Sequence, residues 1–280
     1  MKTNTLAKSV AVICSALVIA AVASGVHHIV SFAAYNYEDA DKYTVGDAVI
    51  EDTVKNLDID WTSGNIKFEY HDEDTVEISE KSRKSLGEDK KMRWWLDDDT
   101  LRIRFAKKGS SFFSFGFNQD KELTVKLPES IALENVNIDA TSGDVQIPSL
   151  EAQKMTIDVV SGDIKLVLSG ADELKMSSVS GNVEATLDKV TGAEIDTTSG
   201  DVKLSAPGLE KLDIDVTTGD VTAALSEKPG FTAHLDTVTG KINYDLPLTK
   251  ESGAYVCGDG SGSVKIDTTT GDINLISAAE

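Results

Sequence analysis

The chain of 280 residues has little cysteine, little histidine and a deficit of base. Its two cysteines are Cys14 and Cys257. Cys14 lies in an apolar N-terminal segment, which excludes a disulfide within one folded domain. The fold must therefore rest on apolar burial and strand hydrogen bonding. Lys and Arg number 27 against 47 Asp and Glu, a net charge of −20. Nucleic-acid binding needs a basic patch, so no nucleic acid is expected as a partner. Direct binding to anionic lipid or wall polymer would need bridging divalent cations. Outside the N-terminal segment the only histidines are His71 and His234, and no G-x-S-x-G motif occurs. The acids are spread along the chain rather than clustered, so the reading is that the protein is not an enzyme. Helical periodicity is missing after the N-terminus.

What is present is a repeat. "TTSGDVKLS" at 197–205 has relatives such as "VVSGDIKLV", "VTTGDVTAA" and "TTTGDINLI". The anchoring glycines are Gly64, Gly143, Gly162, Gly181, Gly200, Gly219, Gly240 and Gly271. From Gly143 to Gly219 the spacing is 19 residues throughout; it then relaxes to 21 and 31. A constant period near 20 means one structural unit stacked on its own copies. The gap of 79 residues before Gly143 is close to four periods, so degenerate coils are expected between Gly64 and Gly143. Within a unit, apolar residues alternate: Leu212, Ile214 and Val216 before Gly219, then Val221, Ala223 and Leu225 after it. That is the period of a strand with one buried face. The phase shifts at Gly-Asp, as at a corner, where glycine accepts a positive φ and Asx suits a turn. One unit cannot bury its apolar face alone, but stacked units can. The fold class expected is all-β: a right-handed parallel β-solenoid with coils of roughly 19 residues, about ten to eleven in number. A propeller is the competing architecture. Its blades need about 40 residues each, so two units would have to make one blade.

The N-terminus carries its own signal. Between Lys8 and Glu38 lie 29 residues without a charge, the most apolar being "VAVICSALVIAAVASGV" at 10–26. Such a run is long enough to cross a bilayer. Lys2 and Lys8 precede it, and Glu38, Asp39 and Asp41 follow it. The positive-inside rule then puts residues 1–8 in the cytoplasm, a single-pass anchor at 9–34, and the rest outside the cell. A cleaved signal peptide is the alternative, because Ala21-Val22-Ala23 fits the cleavage pattern. Residues 35–53 are expected to form a stalk and N-terminal cap, and 54–280 the solenoid.

The stretch "DADKYTVGDAVIEDTVKNLDIDWTSGNIKFEYHDEDTVEISE", then "RWWLDDDTLRIRF", "LTVKLP" and the serial "SGDV" coils, resembles the bacterial putative-adhesin domain of unknown function. That domain occurs in LiaG-like, membrane-anchored proteins of Gram-positive envelopes. The resemblance spans most of the chain after residue 38. It implies an extracellular solenoid and supplies no catalytic or cofactor-binding residues. The function it implies is a cell-envelope structural, adhesion or stress-associated role, with an unidentified envelope protein or glycan as partner. A carbohydrate-active β-helix and a calcium-stabilised adhesin are the alternatives.

Three features stand out as candidate sites. An aspartate precedes the anchors by four residues, including Asp139, Asp158, Asp196 and Asp215, with Ser177 the exception. Its neighbours face inward, so it faces out, and stacking would align these carboxylates as a calcium-binding ladder or a solvated face. The G-G-x-G-x-D signature of calcium-binding β-rolls is missing. The segment 107–120 displays Phe112, Phe113, Phe115 and Phe117, either as a partner-contacting loop or as one more buried strand face. In "RWWL", one of Trp94 and Trp95 must face out from a strand. Finally, the chain stops soon after the strand at 273–276, so an uncapped C-terminal coil capable of end-to-end self-association is expected there; the alternative is that the 31-residue unit before Gly271, with its Leu246-Pro247 break, folds back and blocks the edge.

Overall fold

The structure, a computed structural model, describes residues 35–110 and 121–278. The transmembrane anchor expected at 9–34 and the four phenylalanines at 112–117 lie outside the described residues. No helix among the described residues is long and apolar enough to cross a membrane. Everything described is strand, turn or irregular chain.

In chain order the N-terminal strands are β1 (Thr44–Val45), β2 (Ala48–Ile50), β3 (Asn56–Trp61), β4 (Asn65–His71), β5 (Val76–Ser82), β6 (Arg93–Asp97), β7 (Thr100–Arg104) and β8 (Lys121–Pro128). The regular coils follow as β9 (Leu133–Ser142), β10 (Val145–Ser161), β11 (Ile164–Ser180), β12 (Val183–Leu187), β13 (Val190–Ser199), β14 (Val202–Ala206), β15 (Lys211–Thr218) and β16 (Val221–Leu225). The last group is β17 (Gly230–Thr239), β18 (Ile242–Tyr244), β19 (Thr249–Glu251), β20 (Ala254–Gly258), β21 (Gly262–Thr270) and β22 (Ile273–Ser277).

These strands stack as two faces joined at the glycine corners. Along the first face the parallel order is β7, β3, β9, β10, β11, β13, β15, β21, β17. Along the second it is β8, β4, β10, β11, β12, β14, β16, β22, β18. The long strands β10 and β11 pass from one face into the other. Among the described residues this makes nine coils, about 40 Å at the usual strand spacing. The core between the faces is a set of columns. Ile103, Ile59, Ile138, Ile157, Met176, Ile195, Ile214 and Ile266 stack in register, each fully enclosed.

Two expectations about coil order are corrected. The degenerate coils expected between Gly64 and Gly143 do not lie between their coils in space. The Gly64 and Gly143 coils are direct neighbours, with β3 against β9 and β4 against β10. The intervening chain instead supplies β5 and β6, which run antiparallel, and one outer coil, β7–β8. Nor is the C-terminal coil the open end. Its strand β22 pairs with β16 on one side and β18 on the other. The Gly240 coil, earlier in sequence, is last in space. Its edge on the first face is covered by β20, which runs antiparallel to β17, and then by β19. Both ends thus double back, because antiparallel hairpins can close a parallel stack whereas another coil would only renew the edge.

The residues before the first coil pack as a cover. Tyr35 is buried, its hydroxyl donates to the Asp60 carbonyl at 3.1 Å, and it accepts from the Phe105 amide at 3.1 Å. Strands β1 and β2 pair antiparallel with β6 and β5.

Candidate functional site

The corners come first, because they set the register of every outward side chain. Six of the anchors, Gly143, Gly162, Gly181, Gly200, Gly219 and Gly271, have φ between +135° and +151°, and Gly64 has +98°. Conformation is only half of the requirement. A Cβ on Gly200 would lie 2.0 Å from the Gly181 carbonyl oxygen, and one on Gly219 2.0 Å from that of Gly200. Backbone packs on backbone up the corner, where no side chain fits. Gly240 differs: it does not share the positive φ, although its Cβ would still meet the Gly271 oxygen at 1.9 Å.

The Asx residue after each glycine ties the coils together. Asn65 Oδ1 accepts from the Asp144 amide, Asp144 from Asp163, Asp163 from Asn182, and Asn182 from Asp201. Asp201 continues to Asp220, Asp220 to Asp272, and Asp272 to Lys241. Reading these residues as turn formers alone missed this ladder. Their recurrent oxygen, shared by Asp and Asn across the repeat, was the available signal.

With the register set, the expected carboxylate row falls on the outer side of the first face. It runs Arg104, Asp60, Asp139, Asp158, Ser177, Asp196, Asp215, Asp267, Asp236. A parallel row two residues earlier runs Arg102, Asp58, Asn137, Thr156, Lys175, Glu194, Asp213, Lys265, His234. The bases of this second row were not anticipated. Aligning the repeats six residues before each glycine exposes Lys175 and Lys265.

The bases divide the acidic face into patches. Arg104 grips Asp58 with Nη1 to Oδ1 at 3.0 Å and Nη2 to Oδ2 at 2.8 Å, and Arg102 bonds the same carboxylate. Burial works against the Asp58 charge, but the two guanidiniums hold its carboxyl below the usual range. Lys175 reaches Glu194 at 2.8 Å. Lys265 contacts Asp267 at 2.9 Å, Asp213 at 3.1 Å and Asp215 at 3.3 Å. Hydrogen bonding to Asp267 leads the causes that push the Lys265 ammonium upward. At Asp196 the compensation by Lys175 is incomplete. Partial burial, then Glu194 and Asp215, raise its carboxyl to about 6.

The structure thus brings Asp139 beside Asp158 and Asp196 beside Asp215, with Ser177 between the two pairs. The row offers carboxylates in a line, not a cage. Among the described residues the one group of three or more His, Cys, Asp or Glu ligand atoms lying within 4.8 Å of one another is elsewhere, at His71, Glu73 and Glu77.

At the N-terminal end of the same face, Trp95 opposes Arg102 and Trp94 packs toward the core. Trp95 meets Tyr43 edge-on at 5.7 Å, and the Lys42 ammonium sits 4.4 Å from its ring centre. A shallow cleft of about 240 Å³ is lined there by Glu38, Asp39, Tyr43, Trp95, Asp97, Arg102 and Arg104. It combines an aromatic platform with a fork of arginines, but Asp58 and Asp97 already occupy those guanidiniums. Cys257 is a buried free thiol.

The Toastrack DUF4097 family model matches residues 54–276. The chain belongs to this family. Among solved structures, this Toastrack chain is similar to a putative cell adhesion protein from Clostridium sporogenes, with 15% identity, 84% of this chain and 100% of that one covered, and a TM-score of 0.42. It is also similar to putative adhesins from Bacteroides fragilis (17% identity, 84% and 97% covered, TM-score 0.43) and Parabacteroides distasonis (16% identity, 84% and 97% covered, TM-score 0.42). No curated protein matches the Toastrack chain.

Proposed function

We propose that this Toastrack protein is a single-pass, membrane-anchored protein of the cell envelope, with its solenoid outside the cell acting as an adhesion or stress-associated interaction scaffold. The observation that carries the reading is the first face. Two rows of outward side chains run the length of the stack in register, acids interrupted by Arg102, Arg104, Lys175 and Lys265. A flat, patterned surface of this kind suits recognition of an extended partner by charge complementarity. An envelope protein or a glycan bearing spaced cationic groups fits it.

The anchor is argued from the uncharged run between Lys8 and Glu38 and the charge asymmetry around it. Tyr35, near the end of that run, is stapled to the N-terminal coil. The rod would therefore stand on the membrane by this end, with the Gly240 coil outermost.

Crosslinking of the full chain in intact cells, followed by purification, tests the role. A partner captured by the parent but lost when Asp158 and Asp215 are both replaced by Lys supports it. Capture unaffected by those changes removes the first face from the proposal. For the anchor, an alkaline wash of isolated membranes should leave the full chain bound. Release of a shorter, soluble form would point to cleavage after Ala23 instead.

A further inference from the structure

Outside the first face, one cluster joins an imidazole to two carboxylates. Strand β4 ends at His71, the chain turns through Asp72–Thr75, and β5 begins at Val76. The two strands are not neighbours. Strand β8 lies between them, parallel to β4 and antiparallel to β5. The turn therefore crosses the end of β8. His71 is level with Pro128 on one side of it, and Glu77 with Lys126 on the other. Glu73 reaches in from the turn, so that ligand atoms of His71, Glu73 and Glu77 all lie within 4.8 Å of one another.

The imidazole is also oriented. His71 Nε2 lies 2.7 Å from the Thr75 carbonyl oxygen. A carbonyl only accepts, so Nε2 donates in this bond and Nδ1 is the ring nitrogen left for a ligand. A backbone carbonyl holding the far ring nitrogen is the usual support of a metal-bound histidine. Glu77 is also paired, with Lys126 at 3.4 Å.

We infer that His71, Glu73 and Glu77 form a binding site for a divalent transition metal of the Zn²⁺ class. One imidazole nitrogen and two carboxylates match Zn²⁺ and its neighbours better than Ca²⁺ or Mg²⁺, which take all-oxygen sets. Water completes the shell, since the group is partly exposed. The metal pins the crossing turn to the strands on either side of β8.

Titration calorimetry of Zn²⁺ into the metal-free full chain tests this, in excess Mg²⁺ to occupy the general acidic surface. One site is expected, weakened by at least about tenfold in His71→Gln and in Glu77→Gln and unchanged in Asp158→Asn. Co²⁺ loading gives a second readout: ligand-field absorption in the parent that His71→Gln lacks. Melting in chelator checks folding. If His71→Gln melts early, Glu73→Gln on the exposed turn carries the test in its place. Equal Zn²⁺ binding by the parent and a folded variant overturns the site, as does binding that disappears in Mg²⁺.

Discussion

The side chain of Asp201 accepts a hydrogen bond from the backbone amide of Asp220, one coil further along, at 2.9 Å. Asn182 Oδ1 accepts the same bond from the Asp201 amide at 3.0 Å. Either residue type supplies the oxygen, so Asp201→Asn should leave the melting temperature unchanged. Asp201→Ala strands the Asp220 amide at an exposed corner and should cost about 1 kcal/mol. Denaturant titrations of the two variants beside the parent decide this. Equal loss in both would mean that the ladder bond is not what the position supplies.

Gly200 and Gly208 make a matched comparison. A Cβ at Gly200 meets the Gly181 carbonyl oxygen at 2.0 Å with φ at +143°, whereas one at Gly208 meets nothing within 4 Å. Gly200→Ala should destabilise by more than about 3 kcal/mol, and Gly208→Ala should stay within about 0.5 kcal/mol. Similar melts for both would refute the backbone-on-backbone corner.

Lys121 and Glu80 form an enclosed ion pair at 2.6 Å, with the ammonium also bonded to the Lys90 and Phe105 carbonyls. Burial lowers the Lys121 ammonium and Glu80 partly restores it. Glu80→Leu leaves that charge unpaired and should cost about 3–5 kcal/mol, while Glu80→Leu with Lys121→Met should recover most of the loss. Chemical denaturation of the single and double variants gives the coupling. A double variant no better than the single would show that the pair is not acting as a unit.

Asp196 binds its proton more tightly folded than free, at about 6 against the ordinary aspartate value of 3.8. The native state therefore takes up the proton first. Its contribution to stability grows as pH falls through 6 and levels off below about 4. At pH 7.5 the charge is a burden, set by partial burial, Glu194, Asp215 and Asp213 against Lys175. Asp196→Ser, the residue found at Ser177 in the same row, should raise the melting temperature at pH 7.5 and lose that advantage near pH 4. A gain of equal size at both values would exclude titration as its origin.

Strand β22 is internal, so Ile273 and Leu275 should exchange their amide hydrogens slowly at every protein concentration. Deleting residues 261–280 should speed exchange throughout β17, which pairs with β21 over eight residues. Mass-resolved hydrogen exchange reads both. Fast exchange at Ile273 in dilute protein would restore the open C-terminal edge.

The coil itself was legible residue by residue. Alternation around Gly219 placed Leu212, Ile214, Val216, Val221 and Ala223 inward, and all five are buried. Register followed from the fixed period, so the carboxylate row before each glycine could be drawn without coordinates. These features are local: strand alternation and a positive φ at glycine depend on neighbours a few residues away. The order of the coils is not local. Every Gly-Asx corner fits every other, so nothing within one repeat says whether Gly240 or Gly271 stacks on Gly219. The long excursions at 72–121 and 245–261 allow the chain to return on either side, and the pairing of β5, β6, β19 and β20 settles which. The outermost corner is marked by Lys241, the one residue after an anchor glycine that is not Asx. The acceptor can be dropped there because no further coil offers it an amide. That meaning becomes visible only once the coils are stacked. Likewise His71, Glu73 and Glu77 are ordinary polar residues of a turn until β8 is laid between their strands.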